Sequence, residues 1–220
     1  MQRLITIFLI LFTFSSFAQA NNTNATTAVS TLQHEWASIK YNTPNKKQQL
    51  SKMNQLALKA EEATKQSPNS AEIKIWQAII LSTQAGMKGG LGALGLVKKA
   101  RNILLEAEKL NPNALHGSAY TSLGTLYYQV PSWPIGFGNK GKAKTYLTKA
   151  LAINPNGIDP NFFYGDFLAK KGNYTQAIKV LNTALSAPTR PNRPIADAGR
   201  RKEIKALLKE IKIAKEEDNE

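Results

Sequence analysis

The chain has 220 residues, of which 42% are hydrophobic, and it contains no cysteine. Lysine and arginine together number 29 and aspartate and glutamate 15, so the formal net charge is +14 at pH 7. This length can bury the core of a single domain, while the absence of cysteine excludes disulfide bonds and thiolate-bound metals. The positive charge favours an anionic partner, such as lipid head groups, envelope polymers or acidic proteins, unless it serves solubility alone.

Residues 1–20 have the organisation of a secretory signal peptide. Arg3 precedes an apolar run over 4–14, and Ala-Gln-Ala at 18–20 supplies small residues for a cleavage site. The run is shorter than the roughly 20 apolar residues that a membrane-spanning helix needs. We therefore expect cleavage after Ala20, a periplasmic location, and no membrane-spanning segment after cleavage. An exported chain without an aromatic–basic recognition motif is not expected to bind nucleic acid.

One helical domain is predicted over 28–216, after a polar stretch at 21–27 that lacks periodicity and is predicted to be a disordered leader. The domain begins with two helices over 28–68, separated by a turn at 42–45. This spacing of apolar residues is typical of amphipathic helices that pack on each other. The residues that recur every three or four positions are Val29, Leu32, Trp36 and Ile39 in the first helix and Leu50, Met53, Leu56, Ala57, Ala60 and Ala63 in the second.

Two further helix pairs are predicted over 70–112 and 114–155, and each ends at an Asn-Pro step that stops its second helix. Both carry extra residues between their two helices. In the first pair the surplus is the glycine-rich run 86–95, predicted to be a flexible connector rather than a phosphate-binding loop. In the second it is the proline-rich and aromatic stretch 129–141. Because stacked repeats place equivalent loops on one edge, the two insertions are expected to lie side by side.

The fourth pair, at 159–188, has the most regular pattern. The residues at its diagnostic positions are Gly165, Gly172, Tyr174, Ala177, Leu181 and Ala184. The small side chains let the two helices approach closely, and a glycine turns the chain because it takes the left-handed conformation without strain. These offsets resemble the tetratricopeptide repeat, a helix–turn–helix of about 34 residues. The resemblance implies an all-α solenoid of about four helix pairs.

A final helix, at 194–216, follows an extended segment that contains several prolines. Its apolar residues lie on one face, so it is predicted to cap the last repeat. Four arginines and one aspartate surround its start. They are predicted either to bind a carboxylate or phosphate, or to form a hydrogen-bonded clasp that joins the cap to the last repeat. These residues are Arg190, Arg193, Arg200, Arg201 and Asp197.

The run from Gln129 to Ile204 also resembles a group of exported bacterial tetratricopeptide proteins. More distantly, it is similar to the periplasmic T component associated with TRAP transporters, an all-helical repeat protein thought to bind a ligand or to deliver it to a substrate-binding partner. The resemblance implies a small-ligand carrier as an alternative function. This chain lacks the cysteine that anchors the T component to lipid, and the resemblance assigns no binding residue.

Candidate binding residues lie in three regions. The first helices of the pairs are expected to line an inner groove. The insertion at 129–141 is expected to present aromatic side chains, either as an interface hot spot made rigid by two prolines or as a plug that folds down into the core at the solenoid edge or groove. The predicted binding residues are Tyr128, Phe162 and Asp166 in the groove, Trp133 and Phe137 in the insertion, and Arg190, Arg193 and Arg200 in the arginine cluster.

No catalytic, metal or cofactor site is predicted. The two histidines, His34 and His116, are far apart in the chain, and neither has a carboxylate at ligand spacing. No nucleophile and base stand at a diagnostic spacing. The chain is therefore predicted to be a non-enzyme, a periplasmic interaction module that holds a peptide or protein partner in its groove and on the inserted aromatic loop.

Overall fold

The computed structural model describes residues 24–217, which form α-helices joined by short turns and contain no β-strand. The predicted signal peptide at 1–20 and residues 21–23 of the predicted leader lie outside the described residues. Within the described part, no helix is both long enough and apolar enough to cross a bilayer. The helices are α1 (24–42), α2 (Lys46–Gln66), α3 (Ala71–Lys88), α4 (Gly90–Leu110), α5 (Ser118–Gln129), α6 (Lys140–Ile153), α7 (Ile158–Ala169), α8 (Tyr174–Leu185) and α9 (Pro194–Glu217), with a 3₁₀ turn at Ala114–His116.

The helices pack in consecutive pairs, and glycine makes the close approach possible in two of them. A Cβ added to Gly124 would lie 2.6 Å from Cγ of Leu147, and one added to Gly165 would lie 2.7 Å from Cγ of Leu181. Side chains in a close-packed interior do not approach so closely, so a larger residue would push the partner helix away. The predicted all-α solenoid of four helix pairs is confirmed.

Local signals set the ends of several helices. Asn45, Ser70 and Asn139 each accept a hydrogen bond from a backbone N–H in the first turn of α2, α3 and α6. Such caps satisfy backbone donors that have no partner inside the helix. Gly172, with a φ of 76°, turns the chain from α7 into α8, as the sequence predicts.

The first helix starts earlier than its apolar periodicity indicates. The prediction of a disordered leader at 21–27 is wrong for residues 24–27, which belong to α1. Ala25 packs against the core, and the hydroxyl of Thr31 donates to the carbonyl of Thr27 at 3.0 Å. One small apolar contact and this local bond extend the helix through a polar stretch.

The glycine-rich run at 86–95 is helical, so the prediction of a flexible connector is wrong. Helices α3 and α4 both extend into it, leaving only Gly89, with a φ of 64°, between them. Leu94 and Val97 pack against the core on the far side of the break. Their burial offsets the low helix propensity of glycine, and the surplus residues lengthen the helix pair.

The last helix does more than cap the fourth pair. It packs on α7 and α8, with Ile204 fully buried, but another of its faces returns to α1. A Cβ added to Gly199 would lie 2.3 Å from Cδ1 of Tyr41, and Lys40 Nζ lies 2.8 Å from Glu203 Oε1. The first and last described helices therefore meet, and α9 closes the row of helix pairs on itself.

Candidate binding cavity

A cavity of about 1500 Å³ lies on the inner side of the helix pairs. Its wall is formed by the first helix of each pair, together with the start of α4, the segment 187–193 and one face of α9. This is the position at which the sequence predicts a groove. The volume exceeds the roughly 300–1,000 Å³ of a typical small-molecule pocket, so the space suits a longer ligand.

Aromatic side chains make up part of the cavity wall. Trp36 and Trp76 meet edge to face with ring centroids 5.7 Å apart, and the Trp36 indole donates to Thr83 Oγ1 at 2.9 Å. Phe162, a predicted groove residue, lies in the same wall as Phe163, with the two ring centroids 5.1 Å apart. Such pairs hold the rings in defined orientations. Sequence reasoning placed Trp36 and Trp76 only in apolar stripes, because helical periodicity does not separate core from cavity wall.

Two other predicted groove residues, Tyr128 and Asp166, meet between α5 and α7. The Tyr128 hydroxyl donates to Asp166 Oδ2 at 2.6 Å, and the Lys170 ammonium donates to the same oxygen at 2.9 Å. Burial raises the pKa of Tyr128 well above its ordinary value, and the charge of Asp166 adds to the effect. Asp166 lines the cavity, whereas Tyr128 holds it from behind, so Tyr128 is a support rather than a groove contact.

The predicted arginine cluster closes around two aspartates at one end of the cavity. Asp159 Oδ2 accepts from Arg190 Nη1 at 2.8 Å, and Asp159 Oδ1 accepts from Arg200 Nε at 2.9 Å. Asp197 Oδ1 accepts from Arg190 Nε at 2.7 Å. This arginine clasp, consisting of Asp159, Asp197, Arg190, Arg193 and Arg200, joins α7 to α9 and to the segment before it. Of the two alternatives drawn from the sequence, these bonds match the clasp.

The charges of the clasp keep Asp159 ionised. Burial by itself raises the pKa of this carboxyl, but Arg200, Arg190 and Arg193 outweigh burial and hold the pKa well below its usual range. Sequence reasoning missed this aspartate as the centre of the cluster. The signal that points to it is scarcity, since Asp159 is the first acidic residue after Glu108.

Arg193 is the member of the clasp that the chain neutralises least. Its Nη1 lies 4.0 Å from Asp159 Oδ2, and its guanidinium lies 5.0 Å from the ring centroid of Trp76. Burial lowers the pKa of Arg193, and the positive charges of Arg190 and Arg200 lower it further. The negative charge of Asp159 raises the pKa but does not outweigh these effects. An anionic group in the cavity would find its best electrostatic partner here.

The insertion between α5 and α6 has a packed foot and an exposed tip. Phe137 is half-buried, and its ring meets that of Tyr127 edge to face with the centroids 5.7 Å apart. The Arg101 guanidinium lies over the Phe137 ring, 4.4 Å from its centroid. Trp133 and Ile135 are 86% and 60% exposed. The plug alternative therefore holds for Phe137, whereas Trp133 is presented to solvent.

The predicted binding residues thus separate by position. Among residues 24–217, no group of three or more His, Cys, Asp or Glu side chains is placed to hold a metal ion. The cavity wall contains Phe162, Asp166, Arg190, Arg193 and Arg200, the supporting residues are Tyr128 and Phe137, and Trp133 stands outside the cavity.

Comparison with known proteins identifies the repeat. Residues 136–192 match the model of the tetratricopeptide repeat family, which covers α6, α7 and α8. The described chain is therefore a helical-repeat solenoid, and its segment 136–192 carries the tetratricopeptide pattern that the glycine and alanine spacing predicts. No curated protein sequence matches the chain significantly.

The solved structures that are similar to the chain include proteins of Thermus thermophilus and Pseudomonas aeruginosa. A thermophilic tetratricopeptide protein from Thermus thermophilus is 16% identical, with 72% of this chain and 92% of that chain covered and a TM-score of 0.41. The pilF protein of Pseudomonas aeruginosa is 15% identical, with 89% and 91% covered and a TM-score of 0.36.

The foot and tip of the insertion are expected to differ in their effect on stability. Phe137→Ala should lower the free energy of unfolding by about 1–2 kcal/mol, because it removes a half-buried ring from Tyr127 and Arg101. Trp133→Ala should change it by less than about 0.5 kcal/mol. Urea unfolding monitored by circular dichroism measures both values. A large loss for Trp133→Ala would mean that the tip is packed in solution.

Proposed function

We propose that the protein binds an extended segment of a peptide or protein partner in the cavity. The observation that carries this proposal is the space of about 1500 Å³ walled by α1, α3, α5 and α7. Concave surfaces of this kind are what helical solenoids use for recognition. The tetratricopeptide match supports the broader class, a protein-interaction module.

The wall offers two kinds of contact to such a segment. Ile79, Leu94 and Phe162 are partly exposed in this wall and supply apolar surface, on which a partner's hydrophobic side chains lose contact with water. Trp36 and Trp76 lie behind this surface, at 5% and 3% exposure, and support it. Asp166 and Arg193 add two charged groups to the same wall. A few charged groups on a mostly apolar wall orient a ligand, whereas the apolar area supplies most of its affinity.

The proposal is tested by filling the cavity. Thr125 lines it and donates to the carbonyl of Thr121 at 2.8 Å, so Thr125→Trp adds bulk to the wall with little change to the core. Thr148 makes the same bond to Lys144 at 3.0 Å but lies on the exposed face of α6, so Thr148→Trp is the matched control. Peptides selected from a phage-displayed random library are the probes.

Thr125→Trp is expected to weaken the selected peptides at least about tenfold, as measured by calorimetry, because a bulky wall residue excludes a ligand that fits the original space. Thr148→Trp should leave the affinity unchanged. Equal affinities for both variants would place the peptide outside the cavity. Failure of the library to yield any binder would also contradict the proposal.

The alternative function, a small-ligand carrier, requires an enclosed pocket of a few hundred Å³. The larger volume favours the peptide over the small ligand. The proposal includes a periplasmic location and a non-enzymatic role. It also includes a preference for an anionic partner, to which the arginine clasp contributes.

A further inference from the structure

The positive charge is concentrated in the part of the chain that carries both insertions. Residues 73–158 contain ten basic residues and two acidic ones, a net charge of +8 within the +14 of the whole chain. The acidic residues are Glu106 and Glu108, and between 109 and 158 there is none. Five lysines stand in that acid-free stretch, so the third helix pair is cationic without any compensating carboxylate of its own.

The same two insertions expose large apolar side chains. Leu91, at the start of α4, and Trp133 are each 86% exposed, and Ile135 is 60% exposed. Leu91 and Ile135 both border the cavity. Exposed apolar side chains within a cationic surface are typical of an interaction site. A surface whose charge served solubility alone would not combine the two.

The fold holds the tip in place without using Trp133. The Gly138 N–H donates to the carbonyl of Pro131 at 2.9 Å, and the Asn139 N–H donates to the carbonyl of Tyr127 at 2.7 Å. Phe137 anchors the loop from below. A tip that is already ordered loses little conformational entropy when it binds.

We propose that this surface docks the protein on an anionic lipid membrane. Trp133 and Ile135 enter the head-group region, where the amphipathic indole ring is favoured. Lys140 and Lys144, both exposed in the first turns of α6, lie just beyond the loop and pair with lipid phosphates. Each lysine close to such a surface strengthens binding.

Two features favour a lipid surface over an acidic protein as the occupant. The exposed cations beyond the tip are lysines, whose flexible stems can follow phosphates that change position in a fluid bilayer. The tip also projects its apolar side chains outward, and a bilayer needs no complementary pocket to receive them. Ile135 borders the cavity, but Trp133, Lys140 and Lys144 lie outside it. Substitutions at these three residues therefore test docking, whereas Thr125→Trp tests peptide binding.

Tryptophan fluorescence gives a direct readout of docking. Trp36 and Trp76 are 5% and 3% exposed, so a change in emission on adding vesicles reports Trp133. The chain from residue 21 onward is used, because the apolar run at 4–14 would itself enter lipid. Every buried hydrophobic side chain of the described fold lies between 29 and 211, so this chain keeps the whole core.

Vesicles of equal parts phosphatidylglycerol and phosphatidylcholine are expected to shift the emission to shorter wavelength and to sediment the protein. Vesicles of phosphatidylcholine alone should do neither, and added salt should release the protein. Trp133→Ala is expected to weaken sedimentation about tenfold, since a large apolar side chain no longer leaves water. Lys140→Gln and Lys144→Gln are expected to weaken it about fivefold each.

Matched controls lie on α2. Leu58 is 70% exposed, so Leu58→Ala tests whether any exposed apolar residue contributes, and Lys46→Gln with Lys47→Gln tests whether any exposed charge does. These variants should bind as the unmodified chain does. The proposal is overturned by equal binding to both kinds of vesicle, or by vesicle binding that Trp133→Ala leaves unchanged. It is also overturned if polyglutamate shifts the Trp133 emission and the anionic vesicles do not, because the surface would then recognise acidic protein.

Discussion

Asp159→Asn is expected to lower the free energy of unfolding near neutral pH by about 2–3 kcal/mol, because it leaves the partly buried arginines around it without their shared counter-charge. Arg190 and Arg200 both donate to this carboxylate, and asparagine keeps the shape but not the charge. Chemical denaturation measures the loss. Glu61→Gln is the control, since Glu61 pairs with Lys99 on the surface, where the two side chains are 40% and 47% exposed, and it should change stability by less than about 1 kcal/mol.

The same substitution should change how stability depends on pH. The pKa of Asp159 is held below its usual range in the folded protein, so the ionised carboxylate stabilises the fold at neutral pH. That stabilisation is fully present above the unfolded pKa of about 4 and is lost as the pH falls towards the lower folded value. Between neutral pH and about pH 2, Asp159→Asn should therefore lose less stability than the unmodified protein. Parallel acid dependence in the two proteins would contradict the ionised clasp.

Gly199→Val is expected to separate α1 from α9 and to lower the free energy of unfolding by about 2–3 kcal/mol. Even a single Cβ at this position would lie 2.3 Å from the ring of Tyr41, and valine adds two methyl groups beyond it. The ring is held at its tip by a hydrogen bond from the hydroxyl to Glu203 Oε2 at 3.3 Å. If the Tyr41 ring moved away from residue 199, this hydrogen bond between α1 and α9 would break, and the row of helices would no longer be closed.

Thermal unfolding, with amide hydrogen exchange followed in α1, measures the effect of Gly199→Val. Faster exchange in α1 is expected because α9 no longer covers it. Gly86→Ala is the matched control, since a Cβ there meets nothing within 4 Å and alanine raises helix propensity. It should be neutral or stabilising. If Gly199→Val had no more effect than Gly86→Ala, the closure by α9 would be absent in solution.

Much of the fold follows from short-range patterns. The spacing of Gly165, Ala177 and Leu181 predicts two helices in close contact, and the structure places Leu181 against the hydrogen face of Gly165. Asn and Ser caps and the Asn-Pro steps indicate helix ends within a few residues. These signals act between neighbours in the chain, so sequence alone carries them.

Two of the errors share one cause. The glycine-rich run at 86–95 has the composition of a loop, yet burial of Leu94 and Val97 holds it helical. Tyr128 has the periodicity of a groove residue, yet Asp166, from the next repeat, draws its hydroxyl between two helices. In each case a contact with a distant part of the chain overrides the local preference.

The amino-acid sequence by itself determined the class of fold, the number of helix pairs, the sites of the two insertions and the surplus of positive charge, because composition and helical period are properties of consecutive residues. Only the tertiary structure decided which groups meet: Asp159 with Arg190 and Arg200, 31 and 41 positions away, and Tyr41 with Glu203, 162 positions away. Such pairs depend on how the stack curves. Curvature is the sum of small rotations between repeats, and no local motif records it.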